Sequence, residues 1–263
     1  MLKKRLIPKL LIKHRPMGGR VRPVLVTTNS YGAAHDVGDP VSQAKIYEAQ
    51  LADELVVLNI DGTPIGDDEV MLGLIERLAS ETFMPLCVGG GVRQVDDFVR
   101  LLSRGADKVS VNGAVLEQPR LIDEAARRYG AQCVVVSIDM RQSPDGRMQV
   151  MRDHARHATG REVVAWAREC VERGAGELLL CDADRDGQGN GLNHEAGRAV
   201  ADAVGVPIIL SGGCGRAEHF VDGFSLGAAE GVAAGTFFCF RDQNPMQTRA
   251  HIRNAGVAIR MET

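Results

Sequence analysis

The stretch MPLCVGGGVRQVDDFVRLLSRGADKVSVNGAV (residues 84–115) returns later in the chain as VPIILSGGCGRAEHFVDGFSLGAAEGVAAGTF (206–237). Pro85 falls on Pro207, Gly90 on Gly212, Gly91 on Gly213, Phe98 on Phe220, Gly105 on Gly227 and Gly113 on Gly235, all at one constant offset. Upstream, ADELVVLNID (52–61) matches AGELLLCDAD (175–184) at nearly the same offset. Each copy reads as an apolar strand, a Gly-rich turn, an amphipathic helix and a second apolar strand. Two halves of four strand–helix units predict an α/β fold, a parallel eight-stranded (β/α) TIM barrel with an internal half-barrel repeat. One barrel domain then spans 1–263, with half-barrels of roughly 1–130 and 131–263. A doubly wound open sheet is the main competitor, but it gives no reason for two matched blocks.

Strands are expected to end near Leu11, Asn59, Val88, Val111, Asp139, Asp182, Leu210 and Ala234. Helical patterns between them include VSQAKIYEAQLA, DDFVRLLSRG, EVVAWARECVERG and AEHFVDGFSLG. A net charge of −3 gives no electrostatic case for nucleic acid or an acidic membrane surface. No apolar run reaches the roughly 18 residues of a membrane span. The basic-then-apolar start is broken by Pro8 and Lys9 and lacks a small-residue cleavage site, so a signal peptide is not expected. The six cysteines are scattered without a C-x-x-C pair and mostly lie in apolar runs, which fits a reducing, cytoplasmic setting. That spacing predicts no metal site, and no cofactor is expected.

In such barrels chemistry gathers at the C-terminal ends of the strands. VGGGVR and SGGCGR each end a strand just before a helix, and VNGAV and AAGTF add small residues beside them. Glycines there let backbone N–H groups approach an anion. The candidate phosphate- and substrate-binding positions are Gly90, Gly91, Asn112, Gly113, Gly212, Gly213, Ala234 and Gly235. Their symmetry suggests a long substrate with a phosphate at each end; tight turns alone are the plainer reading of any one loop. Asp139, after the run VVVSI, is placed to act as a general acid or base in the mouth, or else to cap the next helix. The loop DADRDGQGNG (182–191) resembles the start of a calcium loop, but Asn193 stands where the twelfth-position Glu belongs. No nucleophile elbow and no activated cysteine are evident.

Over nearly its whole length the chain resembles the cyclase subunit of imidazole glycerol phosphate synthase. The motifs that carry the likeness are KRLIP, GDPVSQAKIYE, ADELVVLNID, PLCVGGGVR, GADKVSVN, YGAQCVVVSID, GAGELLLCDADRDGQGNG, VPIILSGGCG and VAAGTFF. The resemblance implies a two-phosphate enzyme that receives ammonia from a glutaminase partner through the barrel and closes the imidazole ring of a histidine precursor. It also implies two catalytic Asp residues, at the ends of strands one and five. The second matches Asp139; the first falls on Leu11, in IPKLLIK where the family has CLDVK. Leu cannot move a proton. The family's strand-two Asp matches Asn59, its strand-eight Ser matches Gly235, and its loop Lys has no clear match in the rebuilt HRPMGGRVRP. Asn112, Gly91, Gly213 and Asp186 are kept, and the resemblance implies that Asp186 joins the phosphate- and substrate-binding positions.

The family's ring of charges at the opposite end, which gates ammonia entry, matches Arg5, Glu54, Lys108 and Glu177. Asp107 matches its contact to the glutaminase, and Gln132 lies near the entrance. This profile resembles a subset of paralogues found with surface-polysaccharide genes, which carry Leu for the first Asp. There the barrel is thought to relay ammonia from a glutaminase to an amidotransferase that turns a sugar acetamido group into an acetamidino group. The expectation is a diverged conducting barrel whose cyclase chemistry is lost; the histidine-pathway cyclase is the alternative. The C-terminal stretch from Phe240 keeps little of the family pattern.

Overall fold

The computed structural model describes residues 3–240 and 243–260. Eight parallel strands close on themselves: Arg5–Met17 (β1), Leu55–Asn59 (β2), Leu86–Gly89 (β3), Lys108–Val111 (β4), Val134–Gln142 (β5), Glu177–Asp182 (β6), Ile208–Ser211 (β7) and Gly231–Ala234 (β8). Each pairs with the next, and β8 returns to β1 with Arg5 opposite Gly231. Helices surround them, so the fold is a closed (β/α) TIM barrel as the repeat predicts. Among the described residues no helix is long and apolar enough to cross a membrane.

The period of two along each strand sorts the side chains. In β1, Leu6, Leu10 and Ile12 are buried against the helices, in the core between barrel and helix ring. Ile7 points the other way and joins Val56, Cys87, Val135, Leu179, Ile209 and Ala233 in an apolar layer inside the barrel. Arg5, Lys9 and Leu11 share the inward side of β1 with Ile7, one layer below it and two above.

Strand ends differ from expectation in both halves at the same place. β1 continues past Leu11 to Met17 and folds back through Gly18–Gly19 onto the strand Arg20–Thr27, with Met17 opposite Arg20. Both glycines have positive φ, as a two-residue hairpin turn demands. β5 likewise runs past Asp139 to Gln142 and pairs with the strand Met148–Arg152. Antiparallel partners supplied by these hairpins extend both strands, and the two hairpins overhang the same end of the barrel.

The repeated glycines are fixed by close backbone approach. Gly90 and Gly212 stand at φ +89° and +91°, and a Cβ would lie 2.0 Å from the Asn59 carbonyl oxygen and 2.4 Å from that of Asp182. Gly91 and Gly213 press in the same way on the carbonyl oxygens of Thr63 and Gly191. These loops therefore need glycine for packing whether or not they hold an anion.

Candidate functional site

At the N-terminal ends of the strands, Arg5, Glu54, Lys108 and Glu177 form one closed ring. Arg5 donates to Glu54 at 2.6 Å and to Glu177; Lys108 Nζ reaches Glu54 at 3.0 Å and Glu177 at 2.7 Å. Each charge meets two of opposite sign. Burial opposes the charges of Arg5 and Lys108, but the two carboxylates more than offset it and hold both pKa values above the ordinary ones. Around this floor, three carboxylates latch the first free N–H of a neighbouring strand. Asp53 accepts from Leu6 at 2.7 Å, Asp107 from Leu86 at 2.8 Å and Glu230 from Ile208 at 3.1 Å. Asp107 thus closes the barrel floor as well as facing solvent. Gln132 is exposed on the same end, and Phe83, 96% exposed, stands on the loop into β3.

At the other end, Asp139 lies inside β5 and points into the mouth, which disposes of the helix-cap alternative. Its two oxygens accept from Tyr31 Oη at 2.8 Å and from Asn112 Nδ2 at 2.9 Å. Burial raises its carboxyl above the ordinary aspartate value, while the Tyr31 and Asn112 hydrogen bonds and the Lys9 charge restrain the rise. Leu11 occupies the corresponding place on β1: it is level with Leu58 as Asp139 is level with Cys181. The two inward-facing positions face each other across the mouth with one carboxylate between them.

Tyr31 comes from the loop that follows the first hairpin. Ser30 and Tyr31 sit at φ +47° and +60°, and Asp153, His154 and Ala155 of the second hairpin are also left-handed. Tyr31 packs against Met151, Ala155 and Ala183, so the two hairpins meet over the mouth. Thr28 donates to Asp186 at 2.7 Å and the Ser30 N–H to the Asp186 carbonyl at 2.8 Å, clasping the first loop to the sixth. Beside this clasp a narrow cleft, partly open to solvent, is lined by Lys9, Asp186, Gly212, Gly213, Ala234 and Gly235, among others. Gly90, Gly91, Asn112 and Gly113 lie at the mouth on the opposite half.

Asn59 does not belong to the mouth: it shares its side of β2 with Leu55 and Val57, facing the helices. Its Nδ2 donates to Asp68 at 2.8 Å, and Asp68 caps the helix Glu69–Glu81 by accepting the Met71 N–H. In the other half Asn193 Nδ2 donates to Asp182 at 2.8 Å, and Asn193 caps the helix His194–Ala201 through Ala196. The acid and the amide have changed places, and the bond and the cap are kept.

A model of the family described as "Histidine biosynthesis protein" matches residues 7–244. The chain belongs to that family. It is also 49% identical over 262 residues to a protein of Prochlorococcus marinus (strain MIT 9313) described as "Putative imidazole glycerol phosphate synthase subunit hisF2", with 100% of each chain covered. Against the family pattern quoted above, the structure brings together the floor ring and the Asp139–Asn112 pair, and leaves Leu11 without a proton to exchange. Sequence reading missed two residues of the mouth. Lys9 looked like an interruption of an apolar run; its place on the inward period of β1, between Ile7 and Leu11, was the available signal. Tyr31 had none, because its position depends on a left-handed loop.

Proposed function

We propose that this barrel is the ammonia-conducting subunit of a glutamine-dependent amidotransferase system. A glutaminase docks on the floor, ammonia enters through the ring of Arg5, Glu54, Lys108 and Glu177, and an acceptor enzyme takes it up beyond the mouth. The acceptor is an amidotransferase that converts a sugar acetamido group to an acetamidino group, as the resemblance to surface-polysaccharide paralogues implies. The single observation that carries this reading is the pairing of a complete charge ring on the floor with Leu11 opposite Asp139 at the mouth. A cyclisation that needs two groups to move protons has one of them here. The glycine loops and Asn112, with Asp186 facing the substrate rather than its phosphate, would hold a phosphorylated small molecule, and Asp107 and Gln132 belong to the docking face.

The alternative is the cyclase activity itself, favoured by the buried, hydrogen-bonded Asp139 and by the description of the 49%-identical relative. The two readings separate in one assay. The purified chain, given ammonia and the phosphoribulosyl aminoimidazole carboxamide substrate of the cyclase, is expected to show no turnover, and robust turnover would overturn conduction as its role. Co-purification with a glutaminase subunit is expected in either case.

A further inference from the structure

Lys9 is a buried cation that hydrogen-bonds to neither the floor ring nor Asp139. It is 6% exposed and projects into the barrel two layers above the floor. Its ammonium donates to Ser211 Oγ at 2.9 Å, and the nearest carboxylate, Asp186 Oδ1, is 3.8 Å away. That carboxylate already accepts from Thr28 through its other oxygen. An ammonium carries three protons, and among the described residues one of them meets an acceptor within hydrogen-bond distance. Burying such protons unmet costs free energy, so the remaining two are available to an acceptor in the adjoining cleft.

What lies in front of Lys9 says which ligand. Its side chain lines the cleft together with Gly212, Gly213, Gly235 and Thr236. Gly235 packs on it: a Cβ there would stand 3.0 Å from the Lys9 carbonyl and 3.9 Å from its Cε. A side chain at 235 would press on the Lys9 backbone carbonyl and only touch the lysine stem, so glycine there lets the two strands approach closely beside the cleft. Burial opposes the charge on Lys9, while the nearby carboxylates Asp186 and Asp139 favour it, and its pKa stays above the ordinary lysine value. It is therefore a fixed cation and no amine nucleophile.

We propose that Lys9 is the charged ligand of an anionic group, a phosphate monoester, bound in the cleft between β1, β7 and β8. This deepens the phosphate reading of the glycine loops and rests on it; Lys9 makes that half of the mouth selective for an anion over a neutral polar group. Asp186 sets the opposing charge, 3.8 Å from the same ammonium, and so tunes the affinity downward.

The test is calorimetric titration of inorganic phosphate into the full chain and into K9M and D186N. K9M keeps the length and apolar stem of the side chain, and its thermal melt verifies the fold. Phosphate is expected to bind the wild-type chain, to bind K9M at least about tenfold more weakly, and to bind D186N more tightly. The wild-type affinity should also fall with added sodium chloride more steeply than that of K9M. Equal affinities of wild type and folded K9M overturn the role of Lys9 and leave the glycine loops as the phosphate site. No phosphate binding to the wild-type chain overturns both. Should K9M not fold, D186N decides alone: binding unchanged or weakened overturns the proposal.

Discussion

The floor and the mouth of this barrel are built from opposite electrostatic solutions. On the floor four charges satisfy one another in a closed ring, and three further carboxylates close the strand ends. In the mouth Asp139 is hydrogen-bonded to neutral partners, Leu11 faces it, and Lys9 keeps protons without acceptors. A closed ring needs no ligand to complete it. A buried ammonium beside a cleft leaves room for one. The proposed phosphate site uses that difference at β1, β7 and β8, while the floor is a preassembled ring.

The comparison can be broken at its strongest point first. Arg5→Met leaves Glu54 and Glu177 buried with Lys108 as their remaining cation, and is expected to cost about 3–5 kcal/mol in urea unfolding. A loss under about 1 kcal/mol would mean that the ring is not the closed unit its geometry describes. Docking is best probed away from Lys108 and Asp107, because both also hold the floor together. Phe83→Asp, at the exposed aromatic, should weaken glutaminase co-purification by about 2 kcal/mol or more in binding while leaving the thermal midpoint unchanged. Undiminished co-purification would remove Phe83 from the docking face.

Two smaller effects sharpen the mouth. A carboxyl whose folded pKa is raised favours its neutral form, so it contributes stability below its unfolded pKa and loses that contribution as pH rises through the folded value. Asp139 is such a group. The stability of D139N relative to wild type should therefore increase as pH goes from about 4 to 7, followed by thermal melts in one buffer series; a flat or falling difference would contradict the burial of the charge. Finally, burial pushes up the thiols of Cys133, Cys214 and Cys239, the three that are not fully buried. Alkylation by iodoacetamide at pH 7.5 should be slower than that of free cysteine at every site. One fast, stoichiometric site would reveal an activated nucleophile and reopen cysteine chemistry in this chain.

The sequence made the barrel readable through glycines that touch backbone. Gly90, Gly91, Gly212 and Gly213 leave no room for a side chain, so the duplication stays visible at those points. The inward charge ring was readable by resemblance, and its closure follows from the strand register. What stayed hidden depends on contacts between distant segments. The two hairpins extend β1 and β5 beyond the barrel, and the Gly18–Gly19 turn that announces the first of them lies in the rebuilt segment where the family's loop Lys has no clear match. Lys9 is two residues from Leu11, but its burial is created by Ser211 and Asp186 from the far half of the chain.

The exchanged pair, Asn59 with Asp68 and Asp182 with Asn193, has a consequence for how such barrels diverge. A transposition of this kind moves a negative charge about one strand-to-helix connection along the chain while the scaffold stays as it was. Counted column by column, it registers as one acid lost and another gained without reason. Counted bond by bond, nothing is lost. A ledger of bonds separates an exchange that keeps its contact, such as Asn59 with Asp68, from a replacement with no counterpart, such as Leu11.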